Sequence, residues 1–422
     1  MQCEPAERKL RIGFVFSRLP FPMMRGDQLT VAHLLGFLAA RGHQIDFRTL
    51  DQHGAIAPAQ QAWLERICRK MVVFPQSRFD NIVGMAHAAL SGLPVQLGFF
   101  RNRALERDLA SDVAAGEYDI VYAYYLRSAP PTASAMRNAP PTTRSFLAMQ
   151  LSQTLNARRI FERETNLLKK LFYRFESRRL ARFESRIWQK FDRVVLIGPA
   201  DVAAITAECD RFGSRKIDNW VYGAHGTDVD HFIPATAADI VKDRYVFSGS
   251  MLYQPNIQAI TWFVEHCWPA IRRAIPAAQL VIQGRDPVRE IRRLDGVNGI
   301  EVTGTVPDVG PVIRSAAVCI NPMLAAGGMQ NKLIEYMASA KAVVASTIAN
   351  EGIGAPANTI RLADDPDSFA RACIELSRQP DEAFAMGQRA RAHVLRHWTW
   401  ESHFLKLEAD FYDALDSAQA RR

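Results

Sequence analysis

The fold of this chain is most tightly constrained by the regular alternation of short apolar runs and helical patterns in its second half. Strand-like runs fall at Tyr245–Ser248, Leu280–Gln283, Glu301–Thr303, Val318–Asn321 and Ala342–Ser346. Helical periodicity lies between them, over Ile257–Ile271, Val288–Leu294, Val309–Ser315 and Gln330–Ala338. A βαβαβαβαβ order returns each strand parallel to the last, which predicts a doubly wound sheet covered by helices on both faces. The first half opens the same way. RIGFVFS (Arg11–Ser17) reads as a strand, Leu19–Gly26 as a Pro/Gly loop, and Leu29 to Ala39 as a helix that Gly42 stops; Gln44–Thr49 alternates as a second strand. Tyr118–Tyr124 and Arg193–Ile197 are further buried-strand candidates, so this half reads as α/β with a long helical insertion.

The expected organisation is an N-terminal Rossmann-like domain over 1–225, a polar, turn-rich connector over 226–236, a second Rossmann-like domain over 237–397, and a helix and tail over 398–422. Two such halves predict a cleft suited to a nucleotide ligand.

Charge narrows the choice of partner. The chain carries +8 with a pI near 9.3, yet Ala157–Lys190 alone holds eleven Lys/Arg against four Glu. The remainder is close to neutral, which argues against nucleic acid as a partner. Within the basic stretch Leu168, Phe172, Phe175, Leu180, Phe183 and Ile187 recur at helical spacing. One reading is a helix packed on the first sheet, its cations partly paired with Glu176 and Glu184. The other is a surface for an anionic membrane or lipid phosphate. The six cysteines include no C-x-x-C pair, which suits a reducing cytosol. MQCEPAERKL does not read as a signal peptide. Asn81–Phe100 has no Asp, Glu, Lys or Arg, but three glycines and Pro94 interrupt it. It is expected to form a short helix, a turn and an extended piece, not a membrane span.

The chemistry concentrates at Gly327-Gly328-Met329-Gln330-Asn331-Lys332-Leu333-Ile334-Glu335. Two glycines before a helix let a ligand approach backbone N–H groups that the helix leaves unbonded. Such a turn favours an anion, and Lys332 adds a cation where the helix dipole otherwise disfavours one. The loop is not a Walker A, because G-x-x-x-x-G-K is absent.

GGMQNKLIEYMASAKAVVAS resembles the nucleotide-sugar loop, helix and strand of GT-B glycosyltransferases, family 4, particularly bacterial exopolysaccharide-type sugar transferases. YVFSGSMLYQPN, LVIQGRDP, VTGTVPD and the aromatic WTW follow that family's order, GTDVDHFIP resembles its G-x-D-x-x-x-F-x-P connector, and SRLPFPMMRGD its first glycine-bearing loop. The resemblance implies two Rossmann-like domains facing a cleft, with a C-terminal helix crossing back to the N-terminal one. It implies transfer of a sugar from a nucleotide-sugar donor to a glycan, lipid-linked or small-molecule acceptor, retaining and without a metal or other cofactor. It places the donor at Gly26, Asp27, Gly249, Ser250, Asn256, Gly284, Val306, Gly327, Gly328, Met329, Gln330, Asn331 and Leu333. Glu335 matches the second acid of the family's E-x7-E motif, which binds the donor ribose, and a carboxylate suits a vicinal diol. The expected setting is cytoplasmic, with peripheral attachment at the inner membrane face.

Three departures stand out. The first acid of E-x7-E falls at Gly327. The family's Arg and Lys after the first C-terminal strand fall at Ser250 and Pro255, which leaves Lys332 and Arg285 to hold the leaving diphosphate. The family's histidine at the end of DIVYAY is replaced by Tyr124. These departures keep open a nucleotide-sugar epimerase or phosphorylase on the same fold, or a non-catalytic sugar-nucleotide binder. Asp228-Val229-Asp230 is a D-x-D in the connector, not at a strand end. His393 and His397 stand four apart without the Glu of H-E-x-x-H. Neither is expected to hold a metal.

Overall fold

The computed structural model describes residues 6–21, 23, 26–51, 56–155, 157–158, 167–223, 226–251, 253–324 and 329–419. Two compact units emerge, Met1–Ala224 with Phe404–Arg422, and His225–His403.

The first unit is built on seven parallel strands: β1 (Arg11–Phe16), β2 (Gln44–Asp51), β3 (Lys70–Pro75), β4 (Ile120–Tyr124), β5 (Arg144–Gln150), β6 (Arg193–Leu196) and β7 (Trp220–Tyr222). Their spatial order is β3-β2-β1-β4-β5-β6-β7. Around them run α1 (Gly26–Ala40), α2 (Pro58–Ile67), α3 (Arg78–Leu90), α4 (Val95–Phe99), α5 (Arg103–Ala114), α6 (Ala129–Ala135), α7 (Leu167–Ile187) and α8 (Pro199–Arg211). Strand order reverses between β1 and β4, where Ile12 pairs with both Ile45 and Ile120. Carboxyl ends diverge at such a switch point and open a crevice for ligand. Local chemistry sets the helix starts. Ser77 and Asp80 form a reciprocal capping box on α3, and Asn102 accepts from the N–H groups of Ala104 and Leu105 on α5.

The second unit repeats the plan with six parallel strands: β8 (Arg244–Ser248), β9 (Gln279–Gln283), β10 (Ile300–Gly304), β11 (Val318–Asn321), β12 (Ala342–Ala345) and β13 (Arg361–Leu362). Their order is β10-β9-β8-β11-β12-β13, with the switch point between β8 and β11. The helices are α9 (Gln254–Trp262), α10 (Trp268–Ala274), α11 (Arg289–Arg292), α12 (Gly310–Arg314), α13 (Asn331–Ala338), α14 (Thr347–Asn350), α15 (Pro366–Arg378) and α16 (Pro380–His397). Tyr245, Phe247, Ile260, Phe263, Trp268, Ile282 and Phe369 anchor the core. Last comes α17 (Trp400–Gln419), whose stretch from Phe404 onward joins the first unit. There Phe411 packs edge-on against Phe146 and Tyr122.

Several expectations need correction. The helix read over Ile257–Ile271 is broken by a π turn at Phe263–Cys267; Pro269 has no N–H to continue the ladder. Asn81–Phe100 ends in the short helix α4, not an extended piece. Among the described residues no helix is long and apolar enough to cross a membrane. The basic stretch is not an insertion beside the sheet: α7 is part of the crossover from β5 to β6. Its helical stripe is also only half used. Leu180 and Ile187 are buried, while Phe172 and Phe175 are exposed; the side chains of Leu168, Lys169 and Lys170 lie outside the described residues. Among the described residues neither glutamate forms an ion pair with its cations. Glu176 accepts from the N–H groups of Val95 and Gln96 at 3.0 and 3.1 Å, capping α4. Glu184 accepts from the N–H groups of Gln153 and Thr154 and the Ser152 hydroxyl.

Candidate active site

In the second unit, β8 delivers Phe247 and Ser248 to the carboxyl edge of the sheet beside the switch point. Gly249 follows. A Cβ there would sit 2.7 Å from Asn256 Nδ2 and 3.2 Å from Lys332 Nζ, so only glycine admits both side chains. Behind it, a Cβ on Gly284 would meet the Gly249 carbonyl at 2.0 Å, which locks the two strand ends together. Tyr336 on α13 fixes the edge from below; its hydroxyl accepts from the Ser248 N–H at 2.6 Å.

The N-terminus of α13 supplies the charge. Lys332 does not project into solvent as a first-turn lysine ordinarily would. Its side chain turns inward and is 8 % exposed. Nζ donates to Asn256 Oδ1 at 2.6 Å, lies 3.8 Å from Met323 Sδ and stands 4.3 Å above the Phe247 ring centroid. Asn256 is held in turn, its Nδ2 donating to the Ser250 carbonyl at 3.0 Å. Burial pushes the Lys332 ammonium down to about 7, with Glu335 working in the opposite sense. Glu335, one helical turn on, is pushed up to about 7 by burial, and Lys332 works against that rise. A lysine and a carboxyl poised near neutrality in a pocket are candidates for ligand chemistry.

These groups line a cavity of about 350 Å³ that also includes Met329, Gln330 and Asn331. The structure therefore brings together Gly249, Asn256, Met329, Gln330, Asn331, Lys332 and Glu335 of the expected residues. Ser248 and Tyr253 line the same cavity and were not anticipated. Both lie inside YVFSGSMLYQPN: Ser248 as the last residue of a strand, and Tyr253 just before a helix. Strand-end position could have found Ser248, and the N-cap position before Gln254 could have found Tyr253.

Other expected residues stand elsewhere. Arg285 is outside the cavity lining; its exposed guanidinium lies 3.5 Å from Asp286. Leu333 is fully buried, and Val306 lies in the loop after β10, outside the lining. Ser250 contributes its carbonyl to Asn256, and Gly284 contributes packing. Gly26 and Asp27 belong to the first unit, at the start of α1, where Asp27 pairs with Arg18 at 3.3 Å. Gly327 and Gly328 lie outside the described residues. The D-x-D is committed to a turn, since the Asp228 carboxylate accepts from the N–H groups of Asp230 and His231. The His393 and His397 rings lie 4.8 Å apart, and no cluster of three metal-ligating side chains occurs among the described residues.

Residues 242–379 match the family described as Glycosyl transferases group 1. The chain is similar over most of its length to a protein from the cps region of Klebsiella pneumoniae, described as an uncharacterized 44.6 kDa protein. The two are 23 % identical over 380 residues, covering 87 % of this chain and 91 % of that one. Among solved structures, sucrose-phosphate synthase from Thermosynechococcus elongatus superposes with a TM-score of 0.68 at 18 % identity, covering 97 % of this chain and all of that one. Anabaena Alr3699/HepE in complex with UDP-glucose superposes with a TM-score of 0.63 at 14 % identity, covering 97 % and 100 %. These likenesses extend over both units and share their two-Rossmann plan. By that match residues 242–379 carry the glycosyl transferases group 1 pattern, and by that plan the chain has the GT-B fold.

Proposed function

We propose that the second-unit cavity holds a UDP-sugar and that the chain transfers its sugar to an acceptor presented by the first unit. The observation that carries this reading is the buried Lys332 ammonium, held by Asn256 at the floor of a pocket beside a helix N-terminus. UDP-glucose is the first donor to test, because it is the ligand of a protein with this fold. The bond from the sugar's anomeric carbon to the diphosphate oxygen breaks, and its electron pair leaves with the diphosphate. Lys332 and the α13 amide ends meet that growing charge, while Glu335 accepts from the ribose hydroxyls. The acceptor oxygen bonds to the same face of the anomeric carbon, and its proton passes to the departing phosphate. Such a step retains stereochemistry and needs no metal. The cps-region relative favours a glycan or glycan-lipid product. The cations of α7, with Glu176 and Glu184 committed to backbone amides, favour attachment at an anionic membrane face. A thermal-shift panel of UDP-, GDP- and ADP-sugars followed by donor-hydrolysis assays tests the reading. A UDP-sugar is expected to stabilise the chain and to be consumed. Absence of any shift or turnover across the panel would remove it.

A further inference from the structure

We infer that α3 is a membrane-entering element, a helix whose outward apolar stripe sits at the boundary of headgroups and acyl chains in an anionic bilayer. The inference rests on the reading of α7 as a helix turned to that bilayer, and it names the element that enters beside the cations.

α3 inverts the ordinary arrangement of a surface helix. Its buried residues are Gly84 and Ala88. Phe79, Ile82, Val83, Ala86 and Leu90 follow the i, i+3, i+4, i+7, i+11 spacing of one helical face. All five are exposed, Phe79 by 72 % and Leu90 by 91 %. A helix of a soluble domain normally turns such a stripe to the core; here the core side is glycine and alanine. The reason is steric. α3 crosses α4 so closely that a Cβ on Gly84 would meet the Gly98 carbonyl at 2.0 Å, and one on Gly98 would meet the Gly84 carbonyl at 2.2 Å. No larger side chain fits between the two helices, so the stripe cannot roll inward. The Ser77 and Asp80 capping box fixes the helix start. A contiguous exposed apolar surface of this kind marks contact with an apolar partner.

The chemistry of that partner is set by α7. Arg179 donates to the Ala89 and Leu93 carbonyls at 2.8 and 3.0 Å, and its guanidinium carbon stands 4.1 Å from the Phe175 ring centroid. It thereby joins the Leu90 end of α3 to exposed Phe175, beyond which Leu171 and Phe172 are exposed too. Arg174, Arg178, Arg182 and Arg186 are exposed on the same helix. The acids of the two helices are all engaged. Asp80 accepts from the Ser77 N–H and hydroxyl, Glu176 from the N–H groups of Val95 and Gln96, and Glu184 from those of Gln153 and Thr154. A second copy docking by this face would set arginines against arginines. An anionic bilayer meets both features, with acyl chains for the stripe and phosphates for the cations.

Co-sedimentation of the full-length protein with phosphatidylcholine vesicles, with and without phosphatidylglycerol, tests this. Binding is expected to be at least about tenfold tighter with phosphatidylglycerol present. Phe79→Ser with Leu90→Ser is expected to weaken binding to the mixed vesicles about tenfold with Tm nearly unchanged, because both side chains are exposed. A second measurement reads depth. A fluorophore on Leu90→Cys, in a Cys3→Ser background where the other five cysteines are buried, is expected to shift to the blue on mixed vesicles and to be quenched by spin-labelled acyl chains. Binding unchanged in the α3 double variant, or a Leu90 probe that keeps its aqueous emission on bound vesicles, would overturn α3 as the entering element and leave attachment through α7. Loss in the α3 variant with none in Arg178→Glu with Arg182→Glu would keep α3 and remove the α7 reading. A concentration-dependent dimer that the α3 variant dissolves, without vesicle binding, would assign the stripe to a second copy and overturn the proposal.

Discussion

Lys332 shows what a single residue can and cannot disclose from sequence. Its place in the first turn of a helix after a glycine pair was enough to point to an anion. Its inward path depends on Phe247, Asn256 and Met323, which β8, α9 and the end of β11 bring together from 85 residues away and nearer. No local pattern encodes that meeting. Arg285 illustrates the opposite case: strand-end position suggested the site, yet its side chain turns to Asp286 and solvent. The buried lysine also sets a pH dependence. With its pKa lowered to about 7, Lys332 is charged below that value and loses its proton above it, in the free protein. A bound diphosphate favours the charged form, so binding takes up a proton above pH 7 and weakens with rising pH by up to about tenfold per unit. Glu335→Gln removes the opposing titration, and UDP affinity in that background isolates the lysine limb. Asn256→Asp, by placing a carboxylate against Nζ, is expected to move that limb to higher pH; an unmoved limb would show that Lys332 does not titrate there. In turnover, Lys332→Met is expected to lower kcat about 10²–10³-fold, whereas a change confined to KM would make the lysine a ground-state binder only.

At the scale of elements, the missed strands share a cause. RSFLAMQ (β5) is rich in good helix formers, and only its pairing with β4 and β6 makes it extended. KMVVFP (β3) ends in proline at a sheet edge, and β13 is two exposed residues. The strands with fully buried β-branched and aromatic runs were legible because burial on both faces leaves an unbroken apolar signature. α17 was foreseen as a crossover, but the group that pins it was not. Glu408 accepts from Arg41 Nη2 at 2.8 Å and lies 2.6 Å from His43 Nε2. Burial alone would raise the Glu408 pKa, but the hydrogen bonds from Arg41 and His43 outweigh it and hold it below the usual carboxylate value. Its contribution to stability is therefore present above the ordinary glutamate range and lost as pH falls through the lowered value. Glu408→Ala is expected to cost about 3 kcal/mol in chemical denaturation at pH 7, since it leaves buried partners unpaired. The penalty should shrink on acidification, and a penalty independent of pH would exclude the ion pair as its source. α7 makes a separate prediction. Phe172→Ser with Phe175→Ser should reduce sedimentation with anionic vesicles while leaving Tm nearly unchanged, because both side chains are exposed. Equal binding to neutral and anionic vesicles would contradict a role for the cations.

For the whole molecule, the alternation of strands and helices was sufficient to read two doubly wound sheets, and both units follow the same reversal of strand order. That topology also explains why each unit has its own ligand-sized space at the carboxyl ends of its first and fourth strands. The two spaces differ in chemistry. The second unit offers a polar pocket with one buried lysine, and the first a space whose apolar walls also carry Arg101, Glu106 and Arg127. The charge excess follows neither site, because it gathers on the crossover before β6, where Glu176 and Glu184 accept from backbone amides. Composition could locate that excess; only the fold shows which partners Glu176 and Glu184 take. Equilibrium binding of UDP at pH 6.5 to the wild-type chain and to Lys332→Met and Glu335→Ala tests the assignment most directly. Each variant is expected to lose at least about tenfold in affinity with no fall in Tm, since each removes a group that burial penalises. UDP affinity unchanged in both variants would contradict the placement of the donor in this pocket.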